Sequence, residues 1–321
     1  MTAKTIPDSV QDLVIIGGGP AGLTASLYAS RAGMKTLLLE GQATVSQITI
    51  TDLIENYPGV PDVSGFELHD RLRKQALAFG ATAKAEEVQA IEKIRIEEYP
   101  GWKIITEDDE YHALAVIVAT GAKWRSLGVP GEEDFIGRGV SYCATCDGPF
   151  YKNRDVAVVG GGDTAVQEAI FLTKFANKVT VVHRRDRLRA ANILQKRAFA
   201  NEKIDFAWDS EVDAIEGQDY VTGVQVRNIN CYDEVKRIPV DGVFVFVGLD
   251  PITSFVRGVV NVDKNGYIIA DNAMKTSEEG IFACGDCIVK SLRQIVTACG
   301  DGATAAHEAE LYVDELKGQA Y

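Results

Sequence analysis

The sequence predicts an α/β protein of two three-layer domains, and three observations predict it. The chain has 321 residues, enough for about two domains of ~150 residues each. Its composition, 46% hydrophobic and 25% charged, supports a full apolar core. Third, one pattern is written twice, as "DLVIIGGGPAGLTASLYASRAG" from Asp12 and "DVAVVGGGDTAVQEAIFLTKFAN" from Asp155. Each copy is a short β-branched run, a glycine-rich turn, then apolar residues at helical spacing.

The first turn reads G-x-G-x-x-G at Gly17, Gly19 and Gly22, with Pro20 and Ala21 opening the helix. The second reads G-x-G-x-x-A at Gly160, Gly162 and Ala165, with Asp163 and Thr164 in the same place. One glycine makes the tight turn, one lets backbone approach a pyrophosphate, and the last small residue lets helix pack on strand. The helix N-terminus then meets the phosphates with free N–H groups and partial positive charge. Both copies sit between a strand and a helix, the context that makes this motif specific. The expected fold is two Rossmann-like dinucleotide-binding domains.

The copies diverge where the ligand differs. Eighteen residues after Gly22, at the end of "TLLLE", stands Glu40, a carboxylate suited to a ribose with a free 2′-hydroxyl, as in FAD or NAD. Eighteen residues after Ala165, at the end of "VTVVH", stands His183, and "HRRDRLR" adds Arg184, Arg185 and Arg189. A carboxylate would repel a 2′-phosphate, whereas these cations bind one, so the second site reads as NADPH. A hydrogen bond to a charged group contributes about 1.5–3 kcal/mol, so loss of one arginine is expected to weaken NADPH by roughly ten- to a hundred-fold and spare NADH.

The net charge of −13 argues against nucleic acid, whose phosphates are bound by clustered Lys and Arg. The opening "MTAKTIPDSVQDLVII" lacks a signal-peptide h-region. Runs such as "LAVIVATG" fall short of the ~20 residues that span a bilayer. A cytosolic protein with no membrane partner is therefore expected. Under cytosolic reduction, a C-x-x-C pair points to catalysis or metal rather than a structural staple. Two such pairs occur, Cys143 and Cys146 in "CATCDG" and Cys284 and Cys287 in "ACGDCIV".

Taken together, "GGGPAGLTA", "ENYPG", "ATGA", "YCATCDGPFY", "VVGGGDTAVQEA", "HRRDRLRA", "GYI" and the closing "GD…RQ…TA" segment resemble the low-molecular-weight, FAD- and NADPH-dependent thioredoxin reductases over nearly the whole chain. The resemblance implies a discontinuous FAD domain, residues 1–123 and 249–321, into which an NADPH domain, 124–248, is inserted. It places Gln47, Asn56, Thr120, Gly121, Gly285, Asp286, Arg293 and Gln294 at the flavin. Asp286 would take the ribityl hydroxyls, and the helix opening near Gln294 would aim its dipole at the flavin pyrimidine end. Cys146 becomes the cysteine nearer the flavin, Cys143 the thiol that attacks thioredoxin, and Asp147 their acid–base group. A thiolate is the working species in such a pair, and C-x-x-C sites lower its pKa; an adjacent carboxyl can manage the proton. The implied path runs from NADPH to FAD to the Cys143–Cys146 disulfide to thioredoxin. The dithiol and the NADPH motif share one domain, so a rotation about the two crossings is expected to bring each to the flavin in turn. Relatives are usually homodimers.

Two features depart from the pattern. Relatives usually have two glycines before Gln47, where this chain has Val45 and Ser46. Cys284 and Cys287 flank the "GD" where members usually carry small or apolar residues; zinc would need two more ligands, and no metal is expected. Cys231 and Cys299 read as buried small hydrophobes. His69, His112 and His307 read as ordinary residues of their segments rather than catalytic bases. The alternatives are a same-fold dithiol oxidase, for which "HRRDRLR" has no use; an NADPH-linked reductase serving a peroxidase, relatives of which often carry an extra N-terminal domain; and a non-enzymatic sensor or zinc-held scaffold.

Overall fold

The computed structural model describes residues 6–41, 46–50, 54 and 56–319. The chain forms two compact units, Met1–Lys123 with Asp250–Tyr321, and Trp124–Leu249.

The first unit opens with β1 (Gln11–Ile16), α1 (Pro20–Arg31), β2 (Thr36–Leu39), α2 (Gly65–Leu77) and β3 (Thr82–Lys84). It continues through β4 (Val88–Ile96), β5 (Tyr99–Thr106) and β6 (Glu110–Val118). These strands lie in the order β3-β2-β1-β6-β5-β4. Pairing is parallel from β3 to β6 and antiparallel from β6 to β4. Both faces of β1, β2 and β6 are covered over most of their length, which is why they carry unbroken apolar runs. The pleat sorts alternate residues: Leu13, Ile15, Leu38, Ala115 and Ile117 face a core shared with α1 and with Ala305 and Ala309 of the C-terminal helix. Val14, Ile16, Leu39, Val116 and Val118 face Val256, Val260 and Ile268 on the other side.

After the short strand β7 (Ala122–Trp124), the second unit runs β8 (Val140–Ser141), α3 (Ala144–Asp147), β9 (Asp155–Val159), α4 (Asp163–Leu172) and β10 (Lys178–Val182). It continues with α5 (Asn192–Phe199), β11 (Ile204–Ala207), the antiparallel meander β12 (Ser210–Gly217), β13 (Val221–Asn228) and β14 (Cys231–Ile238), then β15 (Gly242–Val245). Five strands form a sheet in the order β11-β10-β9-β15-β8, all parallel. Val156 and Val158 face the helices through Ala165, Ala169 and Leu172. Ala157, Val159 and Val243 face the meander through Ile215, Val224 and Val226. This is a helix–sheet–sheet sandwich of three layers.

The chain then forms β16 (Leu249–Pro251), which pairs with β7, and β17 (Ile281–Ala283), which adds to β6 in the first sheet. The last helix, α6 (Ile295–Lys317), ends at Gly318 with φ +67°, the left-handed stop that glycine allows at least cost. α6 packs closely on α1: a Cβ on Gly302 would run into the Ala21 carbonyl.

Candidate functional site

Both glycine turns leave the carboxyl end of a parallel strand, where ligands of open α/β sheets bind. In the first, the Gly17 N–H donates to Leu39 O at 2.8 Å, and Gly17 has φ +117°, which L side chains rarely adopt. A Cβ on Gly22 would overlap the Gly17 carbonyl. α1 starts at once, with Gly19 as its N-cap, no capping side chain and no acid in its first turn. No side chain caps its first N–H groups, which leaves them for an anion. Ser46 Oγ lies 3.7 Å from where a Gly19 Cβ would stand; Val45 lies outside the described residues.

Glu40 follows β2, with its side chain against Gly18. Its carboxylate accepts both ends of Arg73, Nε to Oε1 at 3.0 Å and Nη2 to Oε2 at 2.8 Å. His69, one helical turn before Arg73 on α2, bonds the Gly18 carbonyl through Nε2 at 2.9 Å. His69 thus ties α2 to the first glycine turn, a positioning contact rather than the role of a catalytic base. Neither contact has a spacing signal, since each joins α2 to residues more than thirty positions away. Arg73 fixes the carboxylate in one orientation and leaves its remaining lone pairs for other donors.

The segment from Cys284 to Gln294 abuts the same turn: a Cβ on Gly285 (φ +76°) would lie 2.8 Å from Ala21 Cβ. The Gly285 N–H donates to Asp301 Oδ2 at 3.1 Å, and Lys290 is ion-paired to that oxygen. Asp286 is half-buried, and its Oδ1 is buried with no hydrogen-bond partner among the described residues. Burial pushes its carboxyl up, against the pull of Lys290 and Arg293. A buried acceptor without a donor is costly unless a ligand supplies one. Arg293 grips its own segment, with Nη2 donating to Ile288 O at 3.2 Å and the guanidinium 4.2 Å from the Tyr267 ring centroid. Gln294 caps α6 and accepts from Asn56 Nδ2 at 2.8 Å. Gln47 donates to Ala122 O, Thr120 Oγ1 to Ile252 O at 2.6 Å, and Gly121 has φ +69°. The open glycine turn, the uncapped helix and the orphaned Asp286 oxygen together fit a flavin dinucleotide.

The second turn repeats the geometry with other chemistry. The Gly160 N–H donates to Val182 O at 3.0 Å, and its φ is +145°. Space around Gly162 is open. Asp163 Oδ1 accepts the Ala191 N–H at 2.6 Å, while Thr164 is exposed. His183 is buried, its ring against Gly161. Burial above all lowers its pKa, and Arg189, Arg185 and Arg184 add to that, against a bond to the Arg187 backbone. Arg184, Arg185 and Arg189 are exposed, and the Arg189 N–H ties the run to the Gly161 carbonyl at 2.7 Å. Exposed guanidinium groups around an uncapped helix N-terminus fit a dinucleotide with an extra phosphate.

Cys143, between β8 and α3, is half-buried and disulfide-bonded. Its N–H donates to Ser141 Oγ at 3.0 Å, and its carbonyl accepts the Asp147 N–H at 3.2 Å. The side chain of Cys146 lies outside the described residues. The neighbouring Tyr142 OH donates to Glu132 Oε1 at 2.7 Å, and this fully buried carboxylate also accepts the N–H groups of Leu127 and Gly128. Cys284 and Cys287 are free, buried thiols; Cys287 Sγ donates to Cys284 O at 3.2 Å. Cys231 is exposed and Cys299 half-buried, so neither is the buried hydrophobe that was expected. Cys231 opens an edge strand. Cys299 lies on α6 beside Tyr57 and the Pro20 carbonyl.

The description pyridine nucleotide-disulphide oxidoreductase fits residues 11–302. The chain belongs to that family. Within it, the thioredoxin reductase of Peptoclostridium acidaminophilum is 48% identical to this chain over 316 residues, 96% of this chain and 98% of that protein. The thioredoxin reductase of Bacillus subtilis (strain 168) is 45% identical over 310 residues, 97% of each. The crystal structure of Lactococcus lactis thioredoxin reductase is 47% identical, with a TM-score of 0.91 over 95% of this chain and 99% of that one. The chain writes one strand–glycine turn–helix unit twice. Its two copies differ in the group that follows the second strand, an acid in one and a basic run in the other.

Proposed function

We propose that the protein is a flavoprotein thioredoxin reductase, which reduces the disulfide of oxidised thioredoxin at the expense of NADPH. The observation that carries this reading is a disulfide-bonded Cys143 in "CATCDG", in the same unit as the basic cradle, while the acidic cradle belongs to the other unit. When bound, FAD supplies the two-electron relay between NADPH and the disulfide.

The chain's own residues do the rest. The turn at Gly17, Gly19 and Gly22 and the first turn of α1, with Pro20 and Ala21, hold the FAD pyrophosphate; Glu40, kept in place by Arg73, takes the ribose. Asp286 accepts from the ribityl hydroxyls, and Gln47, Asn56, Thr120, Gly121, Gly285, Arg293 and Gln294 shape the flavin end. Gly160, Gly162, Asp163 and Thr164 hold NADPH, with neutral His183 beside the turn and Arg184, Arg185 and Arg189 on its 2′-phosphate. Once the Cys143–Cys146 disulfide is reduced, Cys143 attacks one sulfur of the thioredoxin disulfide as a thiolate, and the other sulfur leaves. Cys146 then attacks Cys143, releasing reduced thioredoxin and restoring the internal disulfide. Asp147 takes and returns the proton. Among the described residues no helix is long and apolar enough to cross a membrane; a cytosolic homodimer is the assembly the family resemblance supports.

One coupled assay tests this, with purified protein, oxidised thioredoxin from the same organism, and NADPH or NADH. NADPH is consumed only with thioredoxin present, and NADH reacts roughly ten- to a hundred-fold more slowly. Arg184→Ala narrows that preference. NADPH that bleaches the flavin but leaves thioredoxin oxidised would mean another acceptor; equal use of both nucleotides would refute the assignment of the arginines.

A further inference from the structure

Two glutamates follow β3 side by side, and the structure treats them differently. Glu86 is saturated: its oxygens accept from Tyr111 OH at 2.7 and 2.9 Å and from Thr106 Oγ1 at 2.8 Å, with Lys84 Nζ 3.4 Å away. Glu87 is half-buried, and its Oε2 is buried with no hydrogen-bond partner among the described residues. A Cβ on Gly41 would stand 2.5 Å from that oxygen, so the carboxylate lies against the backbone immediately after Glu40. A buried carboxylate oxygen without a donor is costly, and here it borders the first cradle.

The strand order says what comes next to it. β1, β2 and β3 are parallel neighbours, and the Glu40 N–H donates to Lys84 O at 2.8 Å, so their carboxyl ends lie along one edge of the sheet. The glycine turn follows β1, Glu40 follows β2, and Glu87 stands three residues beyond the end of β3. A dinucleotide with its pyrophosphate on the turn and its ribose on Glu40 carries its base onward, toward β3. We propose that Glu87 reads the adenine of FAD, its carboxylate accepting a hydrogen bond from the exocyclic 6-amino group. This rests on the assignment of FAD to the first cradle. An ionised carboxylate only accepts hydrogen bonds. A 6-amino purine satisfies it; a 6-oxo purine sets oxygen against oxygen and leaves the charge unpaired. Glu87 is thereby a specificity-determining residue for the base, distinct from Glu40, which holds the sugar.

The experiment uses the full-length chain freed of flavin and titrated, by quenching of flavin fluorescence, with FAD and with its hypoxanthine analogue. Wild type binds FAD roughly ten- to a hundred-fold more tightly than the analogue. In Glu87→Gln, whose amide can accept from a 6-amino group or donate to a 6-oxo group, affinity for the analogue rises and the ratio falls to within about threefold. Such a gain is something a merely destabilised variant does not produce. Glu87→Ala loses discrimination by weakening FAD alone. A wild-type ratio near one, or the wild-type ratio retained in both variants, overturns the inference and leaves the FAD site intact. If wild type binds neither dinucleotide, the assignment of FAD to the chain fails first.

Discussion

At the scale of single residues, the six cysteines separate by environment. The chemistry of "CATCDG" is legible because sulfur spacing and an adjacent acid are local facts. The inertness of the second pair is not, since Cys284 and Cys287 repeat the same spacing and only burial tells them apart. Burial pushes the Cys287 thiol up to about 11 and drives Cys284 well above its ordinary value. The thiolate is the nucleophile, so iodoacetamide at about pH 8 should modify the exposed Cys231 in the native protein and leave Cys284 and Cys287 untouched until unfolding. Mass spectrometry reads this directly; alkylation of either buried thiol at the rate of Cys231 would show that they are accessible after all.

At the scale of elements, each strand–turn–helix unit was readable because its signals are contiguous: a β-branched run, glycines at fixed offsets, then helical periodicity. Glu40 and His183 were readable for the same reason, each standing at the end of the next strand. His183 adds a consequence of burial at the end of β10. Its folded pKa lies below the ordinary 6.5, so between the two values the unfolded chain binds the extra proton. Stability therefore rises with pH through that window and is lost as pH falls from about 6.5 toward the folded value. Urea unfolding across that range should show this slope, and His183→Gln should flatten it. An undiminished slope in the variant would assign the effect elsewhere. The clamp on Glu40 had no such signal, because helical spacing places His69 and Arg73 on one face of α2 without saying what that face meets.

At the scale of the whole molecule, the division into two units follows from where strands pair. β17 returns to β6 from far along the chain, and β8 to β15 close a five-stranded sheet and the β12–β14 meander between the crossings. The basic cradle and Cys143 belong to one unit and the acidic cradle to the other. On the proposed function, both must meet the flavin in turn, so a cross-link that locks the units should preserve one half-reaction, seen as flavin bleaching or reoxidation, and abolish turnover. Full turnover in the locked protein would rule out alternation.

The sequence by itself determined the α/β class, both glycine turns, the contrast between Glu40 and "HRRDRLR", and the place of the C-x-x-C pair at Cys143. Each of these is written within about twenty residues, in backbone freedom, periodicity and charge. Only the tertiary structure decided that Arg73 and His69 serve the first turn, that Asp301 and Lys290 anchor the Gly285 segment, and that Glu87 rather than Glu86 has a buried oxygen with no hydrogen-bond partner among the described residues. Those facts depend on which distant groups the sheet brings to one edge and on which polar atoms burial leaves unsatisfied, and neither is a property of neighbours along the chain.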